Sequence, residues 1–135
     1  MGSIAMRSIL ICLITFLAVG AIAAHAQNGG KAEPNRIKFA PHSSTTTLTG
    51  RLSVDEEMEY VFGAKKGQKV TIRNPKASLF DFRVFSEENF PEGDFDSSLT
   101  YTFEIPATGD YMLFVRKKRV KTPRTARFSV TLTIK

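Results

Sequence analysis

A run of basic residues between positions 116 and 127 is the feature of this sequence best suited to chemistry with a partner. It holds seven Lys or Arg side chains and no acid, whereas residues 27–115 carry ten Lys or Arg against thirteen Asp or Glu. Guanidinium groups form paired hydrogen bonds with carboxylates, and concentrated positive charge attracts anionic surfaces. The run therefore predicts either docking on carboxylates or polyanions, or a solvated loop that keeps the protein soluble. The candidate contact residues are Lys117, Lys118, Arg119, Lys121 and Arg124.

Groups suited to catalysis are sparse. His42 is the one histidine after residue 26, and its neighbours Ser43 and Ser44 would point to alternate faces of a strand. The G-x-S-x-G nucleophile motif is absent from the sequence. Most carboxylates fall in turn-like, solvated stretches. We therefore predict that the chain is not an enzyme, and we retain His42 and Asp55 only as candidate secondary contacts with a partner.

Metal ligands are equally few. Cys12 is the only cysteine, and it lies in a segment that we expect to be removed, so the mature chain has no thiol for a disulfide or a zinc site. Glu92, Asp94 and Asp96 alternate as some Ca²⁺ ligands do, but they do not match the spacing of an EF-hand loop. We predict no cofactor and no metal site, with Ca²⁺ at these three carboxylates as the open alternative.

The first 26 residues are typical of a secretory signal peptide. One charge, Arg7, precedes an apolar run from Ile9 to Ala24, and an Ala-His-Ala cleavage site ends at Ala26. Cleavage would leave 109 residues and lower the formal net charge from +6 to +5. We predict a periplasmic or secreted bacterial protein with no membrane span after cleavage. In it, Gln27–Arg36 is a flexible leader and residues 37–135 form one domain.

The elements that position the basic run are predicted to be β-strands. Apolar and polar residues alternate with a period of two in several short segments separated by turn residues, and no useful helical period is present. This pattern predicts an all-β antiparallel sandwich or jelly roll of about seven or eight strands. The segments are Thr45–Leu52, Met58–Phe62, Val70–Ile72, Phe80–Val84, Leu99–Ile105, Tyr111–Val115 and Phe128–Ile134.

The strand patterns also predict the surroundings of the run and the core. Residues 116–127 lie between the last two patterns and include Pro123, so we expect a hairpin loop there. Phe85, Phe90 and Phe95 are expected in a loop, where they could form a small apolar patch. The aromatic residues expected in the core are Tyr60, Phe62, Phe80, Phe82, Tyr101, Phe103 and Tyr111.

Two segments resemble the bacterial pre-peptidase C-terminal (PPC-like) domain, a small jelly-roll-like sandwich. They are Ala64–Val70 (AKKGQKV) and Ile105–Tyr111 (IPATGDY). The chain is also similar to the periplasmic inhibitors of g-type lysozyme, which are free-standing exported proteins of about this length with the same sandwich. That second resemblance adds Lys38-Phe39, His42-Ser43-Ser44 and Ile134-Lys135.

The resemblance to the inhibitors implies an exported protein that inserts a basic hairpin loop into the carboxylate-lined cleft of a lysozyme, most of all a g-type lysozyme. It places the first loop arginine of the family at Arg119. The second falls at Arg124 if the loop is shifted by one residue, because Pro123 occupies the ungapped position. A tyrosine that the family uses on a neighbouring loop is replaced by Asp55.

The PPC-like resemblance leaves a second function open. It implies a non-catalytic module that binds an anionic glycan or another polyanion of the cell envelope. Nucleic acid is not an expected partner, because the basic run lacks the aromatic side chains on which bases stack. The sequence also allows a homodimer.

Overall fold

The computed structural model describes residues 35–91 and 93–135, in which eight strands and no helix are present. The predicted signal peptide, residues 27–34 of the predicted leader, and Glu92 lie outside the described residues. Within the described part, no helix is long and apolar enough to cross a lipid bilayer. The strands are β1 (Asn35–Arg36), β2 (Thr45–Ser53), β3 (Glu57–Ala64), β4 (Lys69–Arg73), β5 (Phe80–Phe85), β6 (Thr100–Glu104), β7 (Gly109–Lys117) and β8 (Thr125–Ile134).

The strands form two four-stranded sheets whose inner faces share one core. The first sheet has the order β1-β3-β7-β5 and the second the order β2-β8-β4-β6. Side chains from both sheets, such as Phe62 and Phe128, are fully buried in a common cluster. The predicted all-β sandwich is therefore confirmed. Each strand segment expected from the alternation corresponds to one strand of the structure.

The pair formed by β1 and β3 differs from the expectation. All other neighbouring strands are antiparallel, but Asn35 and Arg36 pair in parallel with Tyr60 and Val61. The reason is that the chain crosses to the second sheet for β2 and returns for β3, which then runs in the same direction as β1. Asn35 and Arg36 are the last two residues of the predicted leader, and in the structure they form this short strand.

Burial follows the predicted alternation most closely in the central strands. Along β8, Phe128, Val130, Leu132 and Ile134 are buried, while the residues between them are partly exposed. Each fully buried apolar side chain of this size stabilises the fold by about 1.5–3 kcal/mol. Tyr101 is 38% exposed, so its predicted place in the core is wrong. It lies on β6, which ends the second sheet and has a neighbouring strand on one side only.

The two segments that carry the PPC-like resemblance bind each other at one end of the sandwich. We call residues 65–68 and 106–109 together the motif clasp. The amide of Lys66 donates to the hydroxyl of Thr108 at 2.9 Å, and the amide of Gly67 donates to the carbonyl of Ile105 at 2.8 Å. Gly67 has a φ of 89°, a conformation that side chains with a Cβ rarely adopt. The clasp thus joins the ends of several strands through local hydrogen bonds.

The basic run connects the two sheets. Strand β7 belongs to the first sheet and β8 to the second, so the residues between them cross the sandwich instead of turning back within one sheet. The prediction of a hairpin at this place is wrong. Alternation identifies strands, but it does not indicate which of the two sheets a strand joins. We call residues 118–124 the inter-sheet loop.

Candidate functional site

The inter-sheet loop presents its cations to solvent at the end of the sandwich opposite the motif clasp. Arg119, Lys121 and Arg124 are exposed, and the side chain of Arg119 is 81% exposed. Strand β7 begins at the clasp and ends at this loop, which places the two features at opposite ends of the same strand. Exposed cations of this kind attract an anionic partner before any contact forms.

Both ends of the inter-sheet loop are fixed to the body of the protein. At its start, the amide of Lys118 donates to the carbonyl of Leu79 at 2.8 Å. At its end, the carbonyl of Arg124 accepts a hydrogen bond of 2.9 Å from the amide of Val54. The hydroxyl groups of Ser53 and Thr125 are 2.8 Å apart just beyond that point. A short loop held at both ends loses little conformational entropy when it binds a partner.

Two of the predicted contact residues have side chains that bind backbone carbonyls of the protein itself. Lys117 is fully buried, and its Nζ donates to the carbonyl of Lys118 at 3.0 Å. The side chain of Lys118 is half-buried, with its Nζ donating to the carbonyl of Ala77 at 3.1 Å. The prediction that Lys117 contacts a partner is therefore wrong. Lys117 lies two residues after Val115, in the same inward phase of β7.

Asp55 lies directly against Arg119. The turn between β2 and β3 gives Asp55 a φ of 67°, and the amide of Asp55 donates to the carbonyl of Lys117 at 3.1 Å. From this position its carboxylate accepts a hydrogen bond from the Arg119 guanidinium and forms an ion pair with it. The bond raises the pKa of Arg119 above its ordinary value. Arg119 therefore already holds a carboxylate in the free protein.

His42, the other predicted secondary contact, does not join this site. It occupies an exposed turn before β2, with a φ of 64°, whereas Asp55 follows the end of the same strand. A nine-residue strand separates the two turns, which is a distance of about 30 Å in an extended chain. His42 is therefore remote from the inter-sheet loop, and its role as a secondary contact with a partner stays a prediction.

A third arginine next to the loop was not among the predicted site residues. Arg116 binds the carboxylate of Asp81 through two hydrogen bonds of 3.1 and 2.7 Å, and its guanidinium lies 3.7 Å from the centre of the Phe95 ring. The hydrogen bond to Asp81 raises the pKa of Arg116, and the charges of Glu57 and Asp55 act in the same direction. Pairing of β7 with β5 places Arg116 opposite Asp81, a register that sequence alternation alone does not reveal.

The predicted alternative of a Ca²⁺ site rests on Glu92, Asp94 and Asp96, of which the structure describes the last two. Asp96 uses one carboxylate oxygen to accept a hydrogen bond of 2.6 Å from the amide of Ser98. Glu92 is outside the described residues. Among residues 35–91 and 93–135, no group of three acidic, His or Cys side chains is arranged to hold a metal ion.

Comparison with solved structures relates this fold to known inhibitors. The structure of PliG from Salmonella Typhimurium, a periplasmic lysozyme inhibitor of g-type lysozyme, matches with a TM-score of 0.63 and 23% identity over 78% of this chain and 100% of that chain. A mutant PliG from Escherichia coli matches with a TM-score of 0.61 and 26% identity, covering 77% of this chain and 100% of that chain. Neither a protein-family model nor a curated protein sequence matches the chain.

A domain of a bacterial collagenase has a related fold. The pre-peptidase C-terminal domain of collagenase from Bacillus anthracis matches with a TM-score of 0.50 and 18% identity, over 78% of this chain and 97% of that chain. The predicted resemblance to both groups is thus confirmed. The two PliG structures match with higher TM-scores than the collagenase domain does.

Proposed function

We propose that this chain is a periplasmic lysozyme inhibitor, that g-type lysozyme is its target, and that the inter-sheet loop is the inhibitory element. One observation carries the proposal: the exposed guanidinium of Arg119 holds a carboxylate at the surface of a sandwich similar to PliG. A glycosidase cleft carries carboxylic acids that are essential for catalysis. The same guanidinium chemistry therefore suits capture of such an acid.

Inhibition proceeds by exchange of one carboxylate for another. Arg119 releases Asp55 and pairs with a carboxylate in the lysozyme cleft, where two parallel hydrogen bonds fix the geometry. Arg124 and Lys121 contact a second acid or a backbone carbonyl beside it. The loop then occupies the volume that the polysaccharide substrate needs.

Asp55 serves as the positioning residue of this mechanism. Its carboxylate holds the long side chain of Arg119 in one orientation before the target arrives. A side chain of this length otherwise loses about 0.5–1.5 kcal/mol of rotamer freedom on binding. Because the Asp55–Arg119 pair is largely exposed, water screens it and its rupture costs little. Asp55 therefore orients the guanidinium, and the ion pair between them breaks at little cost in free energy when a target binds.

The test measures lysis of bacterial cell walls by g-type, c-type and i-type lysozymes, with and without the protein after export and purification from a bacterial host. We expect inhibition of the g-type enzyme alone. Arg119→Glu is expected to weaken this inhibition at least ten-fold, whereas Arg73→Glu, which reverses an exposed charge on β4, serves as the matched control.

Two results would overturn parts of the proposal. Equal inhibition by the Arg119→Glu and Arg73→Glu variants would remove the inter-sheet loop from the mechanism. Absence of inhibition for all three lysozymes, together with salt-sensitive retention on lipopolysaccharide or peptidoglycan, would favour the alternative of an envelope-binding module.

A further inference from the structure

The open side of the sandwich, between β5 and β6, contains a narrow cleft with a distinct chemistry. The cleft has a volume of about 130 Å³, and aromatic side chains line most of it. Tyr101 and Phe103 of β6 form one continuous wall, with ring centres 5.5 Å apart, and Phe90 meets Phe103 at 5.4 Å. Asp94 and Asp96 also line the cleft. We call this feature the aromatic cleft.

The backbone of β6 has one unpaired edge beside the aromatic cleft. Strand β6 pairs with β4, and within the described residues no other strand pairs with it. Leu99 and Ile105 turn their backbone toward β4: the Leu99 carbonyl accepts from Asn74, and the Ile105 amide donates to Gln68, both at 2.8 Å. Alternate residues of an antiparallel strand face opposite edges. The residues whose amides and carbonyls face the open edge are Thr100, Thr102 and Glu104.

The apolar surface of the protein is concentrated at the same place. Leu99 is 63% exposed and Tyr101 is 38% exposed, and these are the only large hydrophobic side chains among the described residues that stand out in this way. One precedes β6 and the other belongs to it. Exposed apolar side chains that adjoin each other indicate a contact surface more often than isolated ones do.

On the opposite side of the cleft, the edge strand of the first sheet, β5, is covered by a loop of the same chain. At the edge of β5, Phe82 and Asp96 exchange two backbone hydrogen bonds of 3.0 and 2.7 Å. Gly93 lies so close to this edge that a Cβ atom there would come within 2.5 Å of the Val84 carbonyl oxygen. The segment from Gly93 to Asp96 therefore covers β5, while the edge of β6 is left uncovered by the described chain.

We propose that the open edge of β6 binds an extended peptide, which adds as a further strand and places a lysine side chain in the aromatic cleft. Backbone hydrogen bonds to the edge supply affinity in this mode, and pockets for alternate side chains supply specificity. The small volume of the cleft suits an unbranched side chain. Its aromatic rings attract a cation, and the exposed carboxylate of Asp94 supplies the opposite charge. This proposal uses none of the loop residues and is independent of the inhibitory function.

The test is an NMR titration of the exported protein, labelled with ¹⁵N, with a seven-residue peptide. The peptide alternates threonine with valine and carries lysine at its centre. We expect shifts confined to the amides of Thr100, Thr102 and Glu104 and to the rings of Tyr101 and Phe103. The same peptide with glutamate at its centre is expected to bind at least ten-fold more weakly.

Two variants separate the edge from the cleft. Thr102→Pro removes the central outward amide without removing a backbone hydrogen bond to β4, and Thr47→Pro does the same at the open edge of β2. Each variant also loses one hydrogen bond between threonine hydroxyl groups, with Thr71 at 3.1 Å and with Thr131 at 3.3 Å, which makes Thr47→Pro the matched control. Asp94→Asn changes only an exposed carboxylate and tests the cleft if the proline variant does not fold. We expect Thr102→Pro to abolish binding and Asp94→Asn to weaken it several-fold.

Other outcomes would overturn the proposal. Shifts that spread over the protein, or peptide affinity that survives both Thr102→Pro and Asp94→Asn, would show that the β6 edge is not a peptide site. Dimerisation that the peptide does not reverse and that Thr102→Pro abolishes would assign this edge to a second copy of the chain. Lysozyme inhibition measured in parallel is expected to be the same in all these variants, so failure of one proposal leaves the other testable.

Discussion

The two ends of the sandwich are built in different ways. At the motif clasp, backbone amides bind carbonyls and hydroxyl groups of the neighbouring segment, and the hydroxyl of Tyr111 donates to the carbonyl of Ala107 at 2.5 Å. At the inter-sheet loop, the exposed tip has one ion pair, between Arg119 and Asp55, with both partners largely in solvent. The clasp is a structural device, whereas the loop displays charge.

This difference explains why the sequence resemblance indicates the fold of the chain and not its target. The AKKGQKV and IPATGDY segments contribute to the clasp and to the strands beside it, so a match to them reports on the fold. The residues that we propose to contact a target, Arg119, Lys121 and Arg124, lie at the other end. Substitutions at the two ends are therefore expected to separate stability from inhibition.

The largest effect is expected from Tyr111→Ala at the clasp end. Its ring is fully buried and stacks on Phe62 with ring centres 5.8 Å apart. Loss of an aromatic core residue costs about 3–5 kcal/mol. Denaturant unfolding measures this change. Tyr111→Phe is the control that loses only the two hydrogen bonds of the hydroxyl, which donates to the Ala107 carbonyl and accepts from the Asn89 side chain, worth about 1 kcal/mol each. Inhibition per folded molecule is expected to be unchanged, and a parallel loss of inhibition would contradict the separation.

The next effect is that of Arg119→Glu at the loop end. We expect the opposite behaviour: a loss of inhibition of at least ten-fold, which corresponds to about 1.4 kcal/mol, with an unchanged midpoint of denaturation. The reason is that Arg119 is exposed and contributes little to the fold, while a lysozyme acid would now meet a like charge. A shift of the denaturation midpoint as large as that of a core variant would show that the loop is also structural.

A smaller effect is expected for Gly67→Ala in the clasp. A Cβ atom at this position would meet no other atom within 4 Å, so the cost comes only from the φ of 89°. An alanine in a left-handed conformation costs about 1–2 kcal/mol. Thermal and denaturant unfolding measure it, and Gly109→Ala, which also meets no atom but has no positive φ, is the control. Equal costs for the two variants would contradict the conformational explanation.

The substitution Asp55→Asn is expected to strengthen inhibition slightly, whereas Arg119→Glu is expected to weaken it. Asparagine tolerates the left-handed backbone and still accepts a hydrogen bond from Arg119, but it removes a negative charge that repels an acidic target. We expect inhibition to become a few-fold tighter, with the gain largest at low salt, as measured by inhibition titrations at two ionic strengths. Weaker inhibition would mean that the charge of Asp55 is needed to orient the guanidinium.

The smallest effect concerns pH at the clasp end. Arg36 binds Asp110 through hydrogen bonds of 3.3 and 2.7 Å, and this lowers the pKa of Asp110 below its ordinary value of 3.8. A carboxyl group with a lowered folded-state pKa adds stability above its unfolded pKa, and this contribution is lost as the pH falls through the folded value. NMR titration of Asp110 is expected to give a normal pKa in the Arg36→Gln variant. An unchanged pKa there would rule out Arg36 as the cause.

Much of the fold was predictable from the sequence, because period-two alternation depends only on which face of a strand is buried. The position of each strand follows from it, and so does the burial of Lys117, which shares the inward phase of Leu113 and Val115. We nevertheless predicted an exposed side chain for Lys117, because lysine is charged and rarely buried. Alternation also placed Tyr101 in the core, since it contains no information on which strand ends a sheet.

The candidate site was less predictable, because it depends on how the sheets are connected. The change of sheet between β7 and β8 turns the expected hairpin into the inter-sheet loop. The left-handed turn at Asp55 brings this residue to Arg119, although 64 positions separate them in the chain. No local pattern in the sequence indicates a contact of that kind.

The place of β8 in the second sheet has a consequence for the timing of folding. It lies between β2 and β4, and it pairs Thr45 with Thr133 across 88 positions of the chain. Until residues 125–134 have been synthesised, β2 and β4 have no common neighbour, and the second sheet has no centre. Pairings over such long sequence separations also form slowly. For a chain that we propose is exported, slow formation of the second sheet would favour transport of the unfolded polypeptide, with assembly on the far side of the membrane.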